Sequence, residues 1–287
     1  MNVDFHIHTN ISDGGKKISD ILNICKTSNV NYISITDHNS FKELQKLINK
    51  NKCHDLKIIN GIEIDVRYTS KITFHMLLYN FDVNSPLLEK YYINNRKNEI
   101  RQFKKNINIL EKSFNIKLDK NIVKKFIKRN NYFDRIRLNN LLVECQICNT
   151  PREAFDKYTN IISKHKRKKI TMKQLFYIEK QSKGIVSLAH PLYYGIDINE
   201  MKSIILQLKR KYNLKVVEAI NNRQTIDEEK NLMDFCMNNN LYISCGSDAH
   251  YKIGDSNVSR VGIINGRKIN ESQVNFLKLI EERPRNE

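Results

Sequence analysis

The sequence predicts an α/β fold with parallel strands inside, helices outside and a helical insertion. Three observations carry that expectation. Short β-branched runs alternate with amphipathic stretches from Val3 to Leu78. Between Leu87 and Ile178 the chain is charged, helical in its periodicity and free of glycine. From Gly184 the alternation of strand and helix returns. A βαβα order needs crossovers that lay helices over a parallel sheet. The chain therefore divides into one α/β domain, 1–86 and 184–287, interrupted by a helical insertion, 87–183.

Each element has its own justification. Val3–Ile7 is an apolar run of strand length, and Ile18–Ser28 places Ile18, Ile21, Leu22 and Cys25 at helical spacing. Tyr32–Thr36 is the second strand, followed by a helix over Phe41–Ile48 with Phe41, Leu44, Leu47 and Ile48 on one face. Lys57–Ile64 and Ile72–Leu78 are further strands. In the insertion Phe103, Ile107 and Leu110 recur at helical spacing. Beyond it come strand Ile185–Ala189, helix Met201–Lys211, strand Val216–Ile220, helix Glu228–Met237, strands Leu241–Ser244 and Val261–Ile264, and a closing helix over Glu271–Ile280. There is no internal repeat and no low-complexity linker.

The chain has 287 residues, of which 40% are hydrophobic and 28% charged, a balance suited to a globular fold in water. No apolar run approaches the ~20 residues that a membrane helix needs. The N-terminal segment lacks a basic-then-apolar leader, so a cytoplasmic protein is expected. Six cysteines in a chain of this length do not make a disulfide framework, and reduced thiols fit the same compartment. Cys145 and Cys148 form a C-x-x-C pair with no partner set nearby, in an apolar helical stretch, and are read as packing residues. The net charge of +18 is read either as attraction for anionic partners or as a solubility surface, and because the basic residues are spread widely it decides little alone. The densest basic run, Lys164 to Lys169, is read equally as a solvated loop or a phosphate-facing one.

The informative feature is where the ionisable residues fall. His6 and His8 alternate within the first strand and so project to one face. Asp248 and His250 end a strand-like run near the other end of the chain. Of eight histidines, six (His6, His8, His38, His75, His190, His250) lie in or at the end of a predicted strand. Asp13, Asp37, Glu63 and Asp248 fall at matching places. In parallel α/β folds that edge gathers active sites, and imidazole nitrogens with carboxylate oxygens suit Zn²⁺, Mn²⁺ or Fe²⁺.

These segments resemble the PHP (polymerase and histidinol phosphatase) family over essentially the whole chain. The motifs are His6-Ile-His8 with Asp13, Thr36-Asp37-His38-Asn39, Gly61-Ile-Glu63, His75, Leu188-Ala189-His190-Pro191, Val217-Glu218 and Gly246-Ser247-Asp248-Ala249-His250. The resemblance is closest to the branch of nucleoside 3′,5′-bisphosphate phosphatases and 5′-to-3′ oligoribonucleases. It implies a distorted (β/α)₇ barrel with two or three divalent ions at its C-terminal mouth. By that resemblance His6, His8, Glu63 and Asp248 hold one ion. Glu63 bridges to a second on His75 and His190, and Asp13, His38 and His250 hold a third. Asp37 orients a ligand, and Arg135 grips a remote phosphate, with Arg137 where the branch has histidine.

The expected activity is hydrolysis of a phosphate ester of a nucleotide or of the 5′ end of short RNA, by water that paired cations acidify. The alternatives are a phosphatase of a metabolite such as histidinol phosphate and a non-catalytic nucleic-acid-binding module. No membrane and no obligate protein partner is implied.

Overall fold

Strands β1 (Asn2–Ile7), β2 (Tyr32–Ile35) and β3 (Lys57–Arg67) lie parallel, side by side. The structure is a computed structural model that describes residues 1–42, 45, 56–162, 169–251 and 260–282. β4 (Thr73–Tyr79) turns back antiparallel on β3, whose far end also receives the short β5 (Ile170–Thr171). β6 (Ile185–Leu188) is antiparallel to β4, and β7 (Val216–Asn221) and β8 (Tyr242–Gly246) follow in parallel. The two ends of the sheet then meet. Ile7 bridges Ala249, His8 N donates to Ala249 O at 3.0 Å, and Asp248 N donates to His6 O at 2.9 Å. The result is a nearly closed seven-stave barrel, with β9 (Ile269–Asn270) outside it against β1.

The expectation of parallel strands fails at β4. Only 68–72 separate it from β3, and both Tyr68 N and Thr69 N donate to Ile72 O, closing a tight hairpin. A parallel return needs a crossover of about a dozen residues. The reversal helps the site: His75, near the N-terminal end of β4, pairs with Asp65 near the C-terminal end of β3. Both therefore lie at the same barrel mouth.

Two further expectations are corrected. Val261–Ile264 is not a strand but part of two successive tight turns, Arg260 bridging Ile263 and Ile264 bridging Arg267, with Gly262 and Gly266 at φ 75° and 74°. The closing helix breaks into a 3₁₀ turn, Glu271–Gln273, and a short helix, Leu277–Glu281. Between them Asn275 N and Phe276 N donate to Ile243 O, and Asn275 Oδ1 accepts from Ile243 N at 2.6 Å, so the chain is diverted onto the start of β8. The helix expected over Phe41–Ile48 falls largely outside the described residues, as do Cys53, His54 and most of the basic run 164–169.

The described helices are α1 (Ile18–Thr27), α2 (Pro86–Phe114), α3 (Lys120–Arg129), α4 (Arg135–Glu144), α5 (Pro151–Lys157), α6 (Met172–Ser182), α7 (Ile198–Tyr212), α8 (Ile226–Asn238) and α9 (Leu277–Glu281). Several starts follow from local chemistry. Thr171 and Thr225 open α6 and α8 with reciprocal caps from Gln174 and Glu228, and Asp197 accepts from the first amides of α7. The barrel core runs through Phe5, Ile64, Phe74, Met76 and Val217, with Phe5 edge-on to Phe276 at 4.8 Å. Leu175, Phe176 and Ile178 of α6 belong to that core. A separate apolar cluster joins α2 to α5 through Phe103, Leu110, Phe126, Leu138, Leu142 and Ala154. Cys148 is buried in it and Cys145 packs beside it; burial pushes both thiols up. The five described cysteines are free. Among the described residues no helix is long and apolar enough to cross a membrane.

Candidate metal centre

The strand period alone brings the first pieces together. His6 and His8 point to one face of β1, and their Nε2 atoms lie 3.1 Å apart. Across the barrel Glu63, buried in β3, meets five imidazoles from four segments. Its Oε1 lies 2.9 Å from His75 Nδ1 and 3.2 Å from His190 Nε2. Its Oε2 lies 3.1 Å from His38 Nδ1, 3.2 Å from His8 Nε2 and 3.5 Å from His6 Nε2. Asp248 adds a second centre: its Oδ1 is 3.3 Å from His8 Nε2, 3.4 Å from His250 Nδ1 and 3.6 Å from His6 Nε2. Asp13 lies 3.2 Å from His250 Nε2 and 3.5 Å from His8 Nδ1.

All nine residues proposed as metal ligands from sequence therefore share one mouth. They fall into four overlapping groups: His8, Asp13, His38 and His250; His6, His8 and Asp248; His6, Glu63 and His190; His38, Glu63 and His75. Within each group the candidate ligand atoms lie within 4.8 Å of one another. His38 Nδ1, His190 Nδ1 and Glu63 Oε2 are buried and lack any partner in hydrogen-bond geometry among the described residues. Buried polar atoms are almost always satisfied, and the donor set suits borderline divalent cations. The residues present fit a metal centre.

Burial and mutual charge set the protonation. Burial opposes a charge on His6, but the carboxylates of Glu218, Glu63 and Asp248 outweigh it and hold its pKa well above the imidazole range. His8 is likewise raised, to about 10, against its burial, by Asp248 and Glu63. Burial likewise opposes ionisation of Glu63, Asp13 and Asp248, yet the surrounding histidines hold all three well below the usual carboxylate range. His38 is lowered, by burial first and then by the neighbouring His8 and His75, against the pull of Glu63 and Asp13. A cation bound here competes with protons for the same lone pairs.

The mouth carries backbone strain, which surrounding hydrogen bonds must hold in place. Asn39, His190 and Asp248 have positive φ, 53°, 26° and 52°. Such conformations cost on the order of 1–3 kcal/mol each and need over-determined surroundings. His190 N donates to Glu218 Oε2 at 2.7 Å and Asn39 N to Glu63 O at 2.7 Å. Gly246 has no room for a side chain: a Cβ there would overlap His6 and press on Glu218 Oε1. The Asp37 carboxylate accepts from Thr9 N (2.8 Å), Thr9 Oγ1 (2.6 Å) and Ser12 N (3.2 Å), bracing the loop that presents Asp13.

Sequence reasoning quoted Glu218 without giving it a role and passed over Asp4, Asp65, Tyr132 and Arg223. Glu218 Oε1 lies 2.9 Å from His6 Nδ1, and Asp65 Oδ1 lies 3.3 Å from His75 Nε2. Carboxylates on the outer nitrogen of a ligating histidine fix its tautomer and orientation. The signal for Asp65 was available, since it follows Glu63 by two residues on one strand face. Asp4 accepts from Ser247 N at 2.9 Å and Gly262 N at 2.8 Å beneath the site. Tyr132, between α3 and α4, stacks on His38 with ring centroids 5.7 Å apart. Arg135 and Arg137 are both engaged within the chain. Arg135 donates to Ile162 O at 2.8 Å and lies over Phe155, whereas Arg137 donates to Asn10 O and Ser12 O, each at 2.8 Å.

This chain belongs to the PHP domain family, whose model matches residues 4–220. Asp248 and His250 lie beyond the matched segment. Solved structures that share the fold include two of similar length. One, from Bifidobacterium adolescentis, is an inferred metal-dependent phosphoesterase; it is 18% identical, with a TM-score of 0.73, and the match covers 94% of this chain and 93% of that one. The other is an amidohydrolase from Chromobacterium violaceum solved with sulfate and no metal; it is 17% identical, with a TM-score of 0.72, and the match covers 96% and 98%. No curated protein matches the chain.

Proposed function

We propose that the protein is a metal-dependent phosphoesterase whose substrate is a phosphorylated nucleotide or the 5′ end of short RNA. In this reading His6, His8, Asp13, His38, Glu63, His75, His190, Asp248 and His250 hold two or three divalent cations, Mn²⁺, Zn²⁺ or Fe²⁺. The observation that carries it is the four overlapping ligand groups at one barrel mouth. A purely structural site needs about four ligands, and a shared, multi-ion arrangement suits phosphoryl chemistry. Bound cations supply Lewis acidity at the phosphoryl group and acidify water.

The chain's own residues do the positioning. Glu63 offers one oxygen to His75 and His190 and the other to His38, His8 and His6, which suits a carboxylate shared by adjacent ions. Glu218, Asp65 and the Asp37-braced loop fix the imidazoles and Asp13 in place. Two tyrosines of the insertion reach the mouth. Tyr132 lies on His38, and Tyr91 of α2 donates to Asn39 Oδ1 at 2.5 Å. A net charge of +18 supports an anionic substrate.

A metabolite monophosphate is the second reading, and one observation favours it. Both guanidinium groups expected to grip a remote phosphate are bonded to backbone carbonyls. The deciding experiment is turnover of the Mn²⁺-loaded protein on 3′,5′-bisphosphates, short 5′-phosphorylated RNAs and histidinol phosphate. We expect hydrolysis of the nucleotides, abolished by chelation, with more than one equivalent of metal in the purified protein. Turnover indifferent to chelator, or at most one ion per chain, would overturn the mechanism, and preference for histidinol phosphate would select the second reading.

A further inference from the structure

Arg223 stands beside the metal centre on a rigid mount. It follows β7 in the turn Asn221–Gln224, where each of the other three side chains is bonded inward. Asn221 Nδ2 donates to Glu218 O at 3.0 Å and Gln224 Oε1 at 3.2 Å. Asn222 Nδ2 donates to Ser247 O at 2.8 Å, and its Oδ1 accepts from Asn265 N at 2.7 Å. Gln224 Nε2 donates to Ala219 O. Arg223 N is itself held by Asn221 Oδ1 at 2.8 Å. A side chain on so constrained a turn is pre-positioned.

The guanidinium reaches the outer oxygen of Asp248, with Nη2 at 3.1 Å and Nε at 3.4 Å from Oδ2. It also lies over the ring of Tyr193, 5.1 Å from its centroid, and that ring is 5.0 Å from the His190 ring. Asp248 keeps Oδ1 for the histidines. Nη1 has no hydrogen-bond partner among the described residues, and the Arg223 side chain is 44% exposed. An ion pair this open contributes little to folding. Its placement suits another task, because a guanidinium presents parallel N–H donors that match a phosphoryl group.

We propose that Arg223, steadied by Asp248 and Tyr193, clamps non-bridging oxygens of a phosphoryl group bound at this centre. The proposal rests on the phosphoesterase reading and adds a substrate contact to it. Hydrolysis adds the oxygen of water to phosphorus, breaks the ester P–O bond and passes a proton to the departing alkoxide. The non-bridging oxygens persist from ester to inorganic phosphate, so the clamp serves substrate and product alike. Inorganic phosphate is therefore a usable probe.

The test compares wild type, Arg223→Ala and Arg223→Lys, each loaded with Mn²⁺, by elemental analysis and by calorimetric titration with inorganic phosphate. We expect equal bound metal in all three. The Kd for phosphate should rise at least about tenfold in the alanine variant and less in the lysine variant, which keeps the charge but not the fork. Unchanged phosphate affinity in Arg223→Ala would overturn the proposal. So would loss of metal in step with loss of affinity, because the residue would then act through Asp248. If wild type hydrolyses no phosphate ester the phosphoesterase reading fails, whereas an Arg223-dependent phosphate affinity would still uphold the clamp.

Discussion

His8 touches more of the centre than any other single imidazole. Its ring lies 4.2 Å from that of His250 and 4.8 Å from that of His38, and it reaches Glu63, Asp248 and Asp13. His8→Ala and Asp248→Asn should each lower kcat by more than ~100-fold, since even residues behind the ligands cost 10–100-fold. Elemental analysis of the same variants should show metal lost. The pH dependence follows from the same contacts. With its pKa raised to about 10, His8 is protonated in the metal-free protein at neutral pH. Metal must displace that proton, so Mn²⁺ affinity should rise with pH between roughly 6 and 9, and binding should release protons in calorimetry. Affinity independent of pH would rule out His8 as a ligand. For the metal-free fold the signs differ by group. The stabilisation from His8 is full below its ordinary 6.5 and lost as pH rises through about 10. That from Glu63, Asp13 and Asp248 is present above their ordinary range and lost as pH falls through their depressed values.

Among the elements, the strands carrying the candidate ligands were legible because period-two alternation and terminal position are local properties. β1 through Ile7 and the sites at Glu63, His190 and Asp248 needed nothing more. The direction of β4 was legible too, had the length of the 68–72 connection been weighed against what a crossover requires. The two turns around Gly262 and the break at Asn275 were not, because tertiary bonds to Ile243 and Asp4 decide them. Asp4 itself reads as an ordinary strand residue until burial shows a carboxylate accepting amides from two distant loops. The engaged states of Arg135 and Arg137 also depend on contacts distant in sequence. Arg137 ties α4 to the loop after β1, so Arg137→Ala should cost roughly 1–2 kcal/mol of local stability. Faster amide exchange over 9–13 would confirm that tie, and unchanged exchange there would refute it.

At the scale of the whole molecule the two ends of the barrel sheet join at the site: the seam between β1 and the segment after β8 carries His6, His8, Asp248 and His250. Metal binding that needs both sides of the seam should stabilise the native state by mass action, about 2.7 kcal/mol at a hundredfold excess over Kd. A rise in Tm of about 5 °C on adding Mn²⁺, reversed by chelator, is the expected result. An unchanged Tm would place the ions elsewhere.

The same seam bears on how the protein is made. Translation delivers chain from the N-terminus at ~5–20 residues per second, so His38, Glu63 and His75 emerge well before Asp248 and His250. The early group has all its donors while the barrel still lacks its last stave, whereas the groups around His8 await it. If these groups hold cations as proposed, their loading acquires an order from the gene itself. The donors around Glu63, His38 and His75 are all present early, but the groups that include Asp248 and His250 are completed only after β8 has left the ribosome.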